Sequence, residues 1–397
     1  MPLSYRRVIG GGTIEDEARF LARIGMMFRS DTHAIPIGRA RMGIYLLTKL
    51  SIQGDRRRVL LSPFTIPDVV TMVLLAGGEP VFYDFQPGST AANLETMEEL
   101  IDERTAAVIV THYHVNEARL PQIAAVCRAF GAYLFDDCAI SFGGSLDGQP
   151  IGTLTDASVF SFSSFKLLNF FWGGLITTAN ESLARRLAEI VNEWPRLTSQ
   201  QYRDAAKACL RYDFASRPLL FQSLVFPMIR SRIRKSPASG GLEHIRIETD
   251  QIGPTLAARP SLAAFAEWTP KLERVEGWLQ HRRTIASVYR QYLGPHMVSA
   301  DTPDAIVAGS CFTNFPILVP EMRTSKIARG MILDGFDVGR ALYPNAHRHP
   351  KFVNVPGITE NVDRLVASTL YLPTHFGVSQ DYAKNIAMHL LAGLKAR

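Results

Sequence analysis

The sequence predicts an α/β fold, with a mostly parallel sheet in a large domain and a smaller C-terminal α/β unit. Short β-rich runs alternate with helical stretches from Val59 to Thr178. The predicted strands are VLLSPF (59–64), PVFYDF (80–85), AAVIVTHYH (106–114), AYLFDDCA (132–139), ASVFSFS (157–163) and GLITTA (174–179). Nearly continuous apolar strands separated by helices are typical of a parallel sheet that is covered on both faces.

The segments between these strands have the spacing of apolar residues that helices show. PDVVTMVLLAGG follows the first strand, and LPQIAAVCRAFG follows the third and stops on Gly131. Earlier in the chain, IGRARMG (37–43) predicts a glycine-containing turn that opens a helix. The free backbone amides of such a helix N-terminus suit an anion.

A long amphipathic helix is predicted for LERVEGWLQHRRTIASVYRQYL (272–293). It is expected to lead from the large domain, residues 1–270, into the small domain, residues 271–397. In the small domain, CFTNFPILV (311–319) predicts a strand, and TSKIARGMILDGF predicts a helix that closes near Gly335.

The bulk composition is that of an ordinary globular protein. Of the 397 residues, 47% are apolar and 20% are charged. The net charge of +6 is mild and would help to attract anionic substrates. Because no zinc-finger spacing or RNA-binding aromatic motif accompanies it, we expect no nucleic-acid partner.

The cysteines and the apolar runs bear on the compartment. The four cysteines (Cys127, Cys138, Cys209 and Cys311) form no CxxC pair and are interpreted as reduced, mostly packed thiols. The N-terminal stretch MPLSYRRVIGGGTIEDEARF turns polar and acidic too early for a signal peptide. No apolar run approaches the roughly 20 residues of a membrane span. A cytoplasmic location is expected.

One segment, RPLLFQSLVFPMIRSRIRKSP (217–237), is an apolar block that ends in a basic cluster. It is too short to cross a bilayer. The part from Arg217 to Lys235 would suit a peripheral contact with the inner face of a membrane, or a partner surface. The alternative is a helix packed on the body of the protein.

A single lysine interrupts the aromatic and apolar stretch FSFSSFKLLNFFWGG (160–174). Lys166 is the only charged residue between Asp156 and Glu181. One interpretation is a lysine that buries its stem and keeps its ammonium in water. The other is an amine that apolar surroundings keep neutral, so that it attacks a carbonyl and forms a Schiff base.

The neighbours of Lys166 favour pyridoxal 5′-phosphate (PLP) as the carbonyl compound. PLP needs an amine for its aldehyde, an acid for its ring nitrogen and donors for its phosphate. Asp136 and Asp137 end an apolar strand, where either acid would pair with the ring nitrogen or cap the next segment. Ser161 and the amides of the turn at 37–43 would hold the phosphate. In parallel sheets such strand ends gather at one edge.

The chain resembles the DegT/DnrJ/EryC1/StrS family of PLP-dependent sugar aminotransferases, in the type I, aspartate-aminotransferase-like fold. The likeness runs from about Pro36 to Trp194 and resumes from about Arg259, so the segment at about 195–250 is atypical of the family. The matching stretches are LLSPFTIPDVVTMVLLAGGEPVFYDF, VIVTHYHVNEARLPQIAAVCRAFGAYLFDDCA, GQPIGTLTDASVFSFSSFK, GFDVGRALYPNAHRHPKF and STLYLPTHFGVSQD.

The resemblance implies a role for each matched residue. Lys166 would be the Schiff-base lysine and the base for the proton shift, and Asp137 would face the pyridine nitrogen. The remaining cofactor contacts would be the phosphate-binding Gly38, Arg39, Ala40 and Ser161, the ring neighbours Thr65 and Ile66, and Arg259 in the partner subunit's site. Tyr343 and His347 would border the substrate pocket. Since the family's site is composite, a homodimer is expected.

The chain departs from the family pattern at several cofactor contacts. The departures are Ile66 for the stacking aromatic, Ile140 for a glutamine, Phe165 for a threonine, Ala257 for the partner subunit's asparagine, and GRA for the Ser-Gly-Thr phosphate turn. Each loss would remove about 1 kcal/mol of cofactor binding if nothing replaced it. They predict a more apolar pocket in which Arg39 supplies charge to the phosphate.

The expected activity is transfer of an amino group from an amino acid, by family habit glutamate, to a keto-sugar nucleotide or related ketone. Sugar dehydration is disfavoured, because relatives that perform it have histidine in place of Lys166. Two alternatives stay open: a binding or regulatory protein without turnover, and an aminotransferase for a lipid-linked ketone. His112, His114 and His349 are expected to be solvated or pocket-lining and not to bind a metal.

Overall fold

A computed structural model describes residues 11–163, 166–169, 171–235, 250–340 and 345–395. Within these ranges, seven strands form the main sheet, in the order β1-β9-β8-β5-β4-β2-β3. They are β1 (His33–Ile37), β2 (Arg58–Leu61), β3 (Glu79–Phe82), β4 (Thr105–Thr111), β5 (Tyr133–Asp137), β8 (Ala157–Ser161) and β9 (Gly174–Thr178). The short strands β6 (Ser145–Leu146) and β7 (Gln149–Pro150) form a separate hairpin.

The main sheet is mostly parallel, as predicted. Strands β3, β2, β4, β5 and β8 pair in parallel along the sheet. Only β9 runs against its two neighbours, β8 and β1. The edge strand β1 was not predicted, because a proline within a short run weakens the strand signal, and Pro36 is tolerated here only at an edge.

Helices cover both faces of the sheet. On β2, Leu60 enters one core cluster while Val59 and Leu61 enter the other. One face is covered by α2 (Ala40–Ser51), α3 (Pro67–Leu75) and α6 (Glu181–Glu193). The opposite face is covered by α1 (Ile14–Gly25), α4 (Leu94–Leu100), α5 (Leu120–Phe130) and α9 (Leu262–Leu272). Burial on both faces explains why the strands are apolar at successive positions.

A second, antiparallel sheet lies in the C-terminal part of the chain. It has the order β10-β12-β11, with β10 (Asn314–Leu318), β11 (Gly339–Arg340) and β12 (Thr369–Pro373). Its helices are α10 (Val275–Leu293), α11 (Asp304–Gly309), α12 (Glu321–Leu333), α13 (Glu360–Ser368) and α14 (Gln380–Lys395). The predicted helices at 272–293 and before Gly335 are confirmed. The domain boundary at residue 270 remains a prediction.

The apolar and basic segment is helical up to Lys235. After α7 (Ser199–Ala215) come a helical turn at Pro218–Leu220, a π-helical turn at Phe221–Val225 and α8 (Phe226–Lys235). Ile233 is 2% exposed, and α8 contacts α12, so one face of α8 packs on the body of the protein. Leu219, Leu224 and Met228 nevertheless remain 83%, 59% and 64% exposed. The packed-helix interpretation therefore describes only part of the segment.

The cysteines are packed inside the protein, as the sequence predicts. All four are buried. Across the described ranges, no helix combines the length and the apolar character that crossing a membrane requires.

Candidate active site

The site lies at the carboxyl edge of the main sheet, where β4, β5 and β8 end side by side. Thr111 at the end of β4 pairs with Asp137 at the end of β5, and Asp137 pairs with Val159 on β8. Lys166 follows shortly after β8 ends at Ser161. Because the three strands are parallel, residues far apart in sequence meet at this edge.

The two adjacent aspartates point to opposite faces of β5, as successive strand residues do. Asp136 is fully buried, and its Oδ2 accepts hydrogen bonds from Thr155 Oγ1 at 3.1 Å and Ser158 Oγ at 3.4 Å. Asp137 is 6% exposed, and its Oδ1 accepts from the Ala139 amide at 3.0 Å. The charge of Lys166 is one of the influences that lower the pKa of Asp137.

Burial raises the pKa of Asp137, and this effect outweighs those that lower it. The opposing influences are, in order of size, the hydrogen bond from the Ala139 amide and the electrostatic interactions with Lys166 and His112. The carboxylate is therefore short of a compensating cation. A pyridinium nitrogen beside Asp137 would supply one, so the acid expected for PLP fits this position.

Lys166 lies in the bend after β8 and is half-buried. Its backbone amide donates to the Ser163 carbonyl at 3.3 Å. Its ammonium charge lowers the pKa of both Asp137 and His114, so the amine lies near these two side chains. This placement favours an amine directed into the site over one that extends into bulk water.

The turn before α2 offers an anion site of the kind that a phosphate needs. The N-cap residue Arg39 makes no side-chain capping hydrogen bond, and the first turn of α2 contains no acidic residue. The Arg39 guanidinium lies 3.5 Å from the centre of the Trp172 ring. Burial, followed by the charge of Arg41, lowers the pKa of Arg39 to about 9, and no described carboxylate opposes these effects. A half-buried guanidinium that no described carboxylate neutralises would suit a phosphate.

Close backbone packing shapes this turn. A Cβ at Gly174 would lie 2.8 Å from the Ala40 backbone nitrogen, and one at Gly38 would lie 2.7 Å from the Ala258 carbonyl oxygen. The Gly38 amide donates to that carbonyl at 2.7 Å. Glycine is required at both positions because a side chain would push the turn apart. On β8, Ser161 Oγ lies 3.1 Å from Ser163 Oγ and faces the same region.

Arg259 makes contacts within its own chain. Its Nε donates to the Trp194 carbonyl at 3.2 Å, and its backbone amide donates to the Pro195 carbonyl at 2.9 Å. The family asparagine position, Ala257, precedes the residue that bonds to Gly38. The expected reach of Arg259 into a partner subunit therefore remains a prediction.

The turn before α3 and the C-terminal stretch meet beside the site. Thr65 is 6% exposed, and Ile66, the N-cap of α3, is 37% exposed. The Ala346 amide donates to the Pro63 carbonyl at 2.6 Å, which docks the 3-10 turn Ala346–Arg348 on this loop. His347 in that turn has a buried Nδ1 without a partner. Tyr343 and Phe165 lie outside the described residues.

The two histidines after β4 were expected to be solvated or pocket-lining, and their burial excludes only the solvated alternative. His112 and His114 are 0% and 1% exposed. His112 Nδ1 accepts from the Glu117 amide at 3.2 Å, so the neutral ring carries its proton on Nε2, 3.4 Å from Asp136 Oδ1. Both histidines lie within the predicted apolar strand AAVIVTHYH, and this position was a signal for burial.

A metal does not fit the cluster that surrounds His112. The possible ligand atoms of His112, Asp136 and Cys138 lie within 4.8 Å of one another. A metal would need the lone pair of His112 Nε2, but the hydrogen bond that Nδ1 accepts places the proton there. The arrangement instead directs an N–H group at a buried carboxylate.

Comparison with known proteins gives the family. The model of the DegT/DnrJ/EryC1/StrS aminotransferase family matches residues 15–206 and 263–391. The unmatched residues between them include Arg259 and the exposed apolar segment. They overlap the segment at about 195–250 that was expected to be atypical, but Arg259, where the likeness was expected to resume, also falls outside the match.

Two curated relatives differ in how much of their length is matched. The dTDP-4-dehydro-2,3,6-trideoxy-D-glucose 4-aminotransferase of Saccharopolyspora spinosa is 24% identical over 96% of this chain and 88% of its own. The GDP-perosamine synthase of Vibrio cholerae is 24% identical over 49% of this chain and 56% of its own. The chain thus spans about half the length of some curated relatives that it matches.

Solved structures share the whole architecture. Helicobacter pylori PseC, an aminotransferase involved in pseudoaminic acid biosynthesis, has a TM-score of 0.75 at 16% identity, over 99% of this chain and 96% of its own. The sugar aminotransferase CalS13 of Micromonospora echinospora has a TM-score of 0.72 at 19% identity, over 99% and 97%. The predicted type I fold is confirmed. Since the family model matches most of its length, the chain belongs to the DegT/DnrJ/EryC1/StrS aminotransferase family.

Proposed function

We propose that the protein is a PLP-dependent aminotransferase that moves an amino group from an amino acid, with glutamate as the expected donor, to a keto-sugar nucleotide or a related ketone. The observation that carries the proposal is the nearness of Lys166 to the buried Asp137 at one sheet edge, where burial raises the pKa of the carboxyl group. The relatives from Vibrio cholerae and Saccharopolyspora spinosa are named for nucleotide-linked sugars, which supports the acceptor class.

Each step falls to a residue of this chain. When bound, PLP supplies a conjugated ring that accepts the electron pair released from the donor's Cα. Asp137 keeps a proton on the ring nitrogen, which favours that transfer. Lys166 holds the cofactor through its amine and, once the donor displaces it, moves the proton away from Cα.

The other residues orient the cofactor and exclude water. The phosphate would be held by Arg39, Ser161 and the first amides of α2. The backbone of Ala40 packs directly on Gly174, and this contact brings β9 next to the turn. Ile140 is 5% exposed, and its carbonyl accepts from Thr313 Oγ1 at 3.0 Å, so an apolar wall replaces the polar contact of the family. Retention of Lys166 favours transamination over dehydration. The homodimer and the cytoplasmic location belong to the proposal on family grounds.

Borohydride reduction tests the role of Lys166. After saturation with PLP, reduction and peptide mapping, we expect a pyridoxyl group on the peptide that contains Lys166. The adduct should vanish in Lys166→Ala and persist in Lys49→Ala, which removes an exposed lysine of α2. An unlabelled Lys166 in saturated protein would reject the proposal and favour a protein without turnover.

Arg39 should bind the phosphate specifically. Because a charge-assisted hydrogen bond is lost, Arg39→Gln is expected to weaken PLP binding about 10- to 100-fold in equilibrium dialysis. Pyridoxal, which lacks the phosphate, should bind both proteins alike. Arg185→Gln removes an exposed arginine of α6 as a control. An equal loss for PLP and pyridoxal would assign Arg39 a structural role instead.

The exposed apolar and basic segment favours a second candidate, an acceptor presented at a membrane. Leu219, Leu224 and Met228 are exposed, and Arg232 and Arg234 are exposed one or two turns further along. Apolar side chains that enter a lipid surface beside basic groups are typical of peripheral binding to anionic membranes.

Vesicle sedimentation tests this candidate. The protein should bind vesicles that contain anionic lipids, and salt or the pair Arg232→Gln and Arg234→Gln should release it. The control pair Arg185→Gln and Arg186→Gln removes the same charge from α6. If neither salt nor either pair of substitutions changes vesicle binding, the membrane-presented acceptor is ruled out. The proposed transamination is unaffected by that result.

A further inference from the structure

Two buried hydrogen-bond donors near Lys166 lack an acceptor. Among the described residues, His114 Nε2 and one terminal guanidinium nitrogen of Arg282 are buried without a hydrogen-bond partner. His114 follows β4 in the large domain, whereas Arg282 belongs to α10. Such groups are costly to leave unpaired, so their presence together indicates a ligand.

The surroundings of His114 fix its protonation and orientation. Its Nδ1 accepts from the Asn314 amide at 3.2 Å, so the neutral ring carries its proton on Nε2. Its carbonyl accepts from the Phe312 amide at 3.2 Å, and its ring packs at 5.1 Å against Tyr371. Burial, followed by the charges of Arg282 and Lys166, lowers the pKa of His114 to about 3. The side chain therefore presents one fixed N–H donor.

Arg282 differs from its neighbour on α10. The Arg283 guanidinium donates to the carbonyls of Ser310 at 3.1 Å and Gly309 at 3.3 Å. Arg282 is half-buried, and burial lowers its pKa. No carboxylate contributes to that shift among the described residues. A partly desolvated guanidinium without an anion is stabilised when one binds.

His114 and the helix that carries Arg282 both bind one short segment, residues 309–314. Arg283, next to Arg282 on α10, donates to the carbonyls of Ser310 and Gly309, while His114 bonds to the backbone amides of Phe312 and Asn314. The charges of Arg282 and Lys166 both contribute to the lowered pKa of His114, which agrees with this placement. A guanidinium and an N–H group together suit a carboxylate, which offers two oxygens and one negative charge. The phosphate site around Arg39 is made by different elements.

We propose that His114 and Arg282 bind a carboxylate of the amino donor and so position its Cα beside Lys166. This inference rests on the proposed function, because it assumes an amino-acid donor. The carboxylate would be either the α-carboxylate or the side-chain carboxylate of the donor.

Binding of glutarate, a dicarboxylate without an amino group, tests the pair apart from turnover. In calorimetric titrations of PLP-loaded protein, Arg282→Gln should weaken glutarate binding about 10- to 100-fold, and His114→Phe about 10-fold. Arg282→Lys keeps the charge, so its glutarate affinity should lie between that of Arg282→Gln and that of the parent protein. Arg290→Gln is the control. It removes another arginine of α10, which pairs with Asp304 of α11, and should leave glutarate binding unchanged.

Other outcomes have distinct meanings. If folded Arg282→Gln binds glutarate as tightly as the parent protein, the proposed carboxylate site at His114 and Arg282 is wrong. It is also wrong if Arg282→Gln weakens the binding of PLP itself. If Arg282→Gln raises the half-saturating concentrations of glutamate and glutamine alike, the pair holds the α-carboxylate. If only glutamate is affected, it holds the side-chain carboxylate. Loss of the pyridoxyl adduct at Lys166 would reject the proposed function, whereas an intact adduct with unaltered glutarate binding rejects only this inference.

Discussion

The carboxylate of Asp137, held almost out of water at the end of a parallel strand, is the constraint on which the site depends. Burial raises its pKa, and a single backbone amide and the Lys166 charge compensate only in part. A carboxylate in such a place is stabilised by any further positive charge that binds beside it. It would therefore suit a ligand with a protonated ring nitrogen, and the proposed chemistry starts from that fit.

Because side chains alternate along a strand, the adjacent Asp136 and Asp137 lie on opposite faces of β5 and have different surroundings. Asp136 faces Thr155, Ser158 and the N–H group of His112. Asp137 faces the site. A register slip of one residue would exchange them, but the apolar residues of β5 pack on both faces of the sheet and hold the register. The same packing that builds the core thus fixes which acid meets the cofactor.

The strands around the site were predictable because burial on both faces leaves continuous apolar runs, of which TAAVIVT in β4 is one. The edge strand β1 was not predictable, because Pro36 and the polar His33 interrupt the apolar run. The isolation of Lys166 and of the pair Asp136 and Asp137 among apolar residues pointed to a site. The choice of Asp137 over Asp136 came from the family resemblance. The Trp172 ring beneath Arg39, the buried proton of His112 and the unpaired guanidinium of Arg282 arise from contacts between distant segments, which no local pattern records.

The visible absorption spectrum of PLP-loaded protein, recorded before and after glutamate, tests the central claim most directly. If Asp137 keeps the ring nitrogen protonated, the parent protein should lose its visible band on adding glutamate, whereas folded Asp137→Asn should bind PLP but retain the band far longer. The account is contradicted if neither glutamate nor any other amino acid changes the spectrum of the parent protein. It is also contradicted if Asp137→Asn reacts at the parent rate.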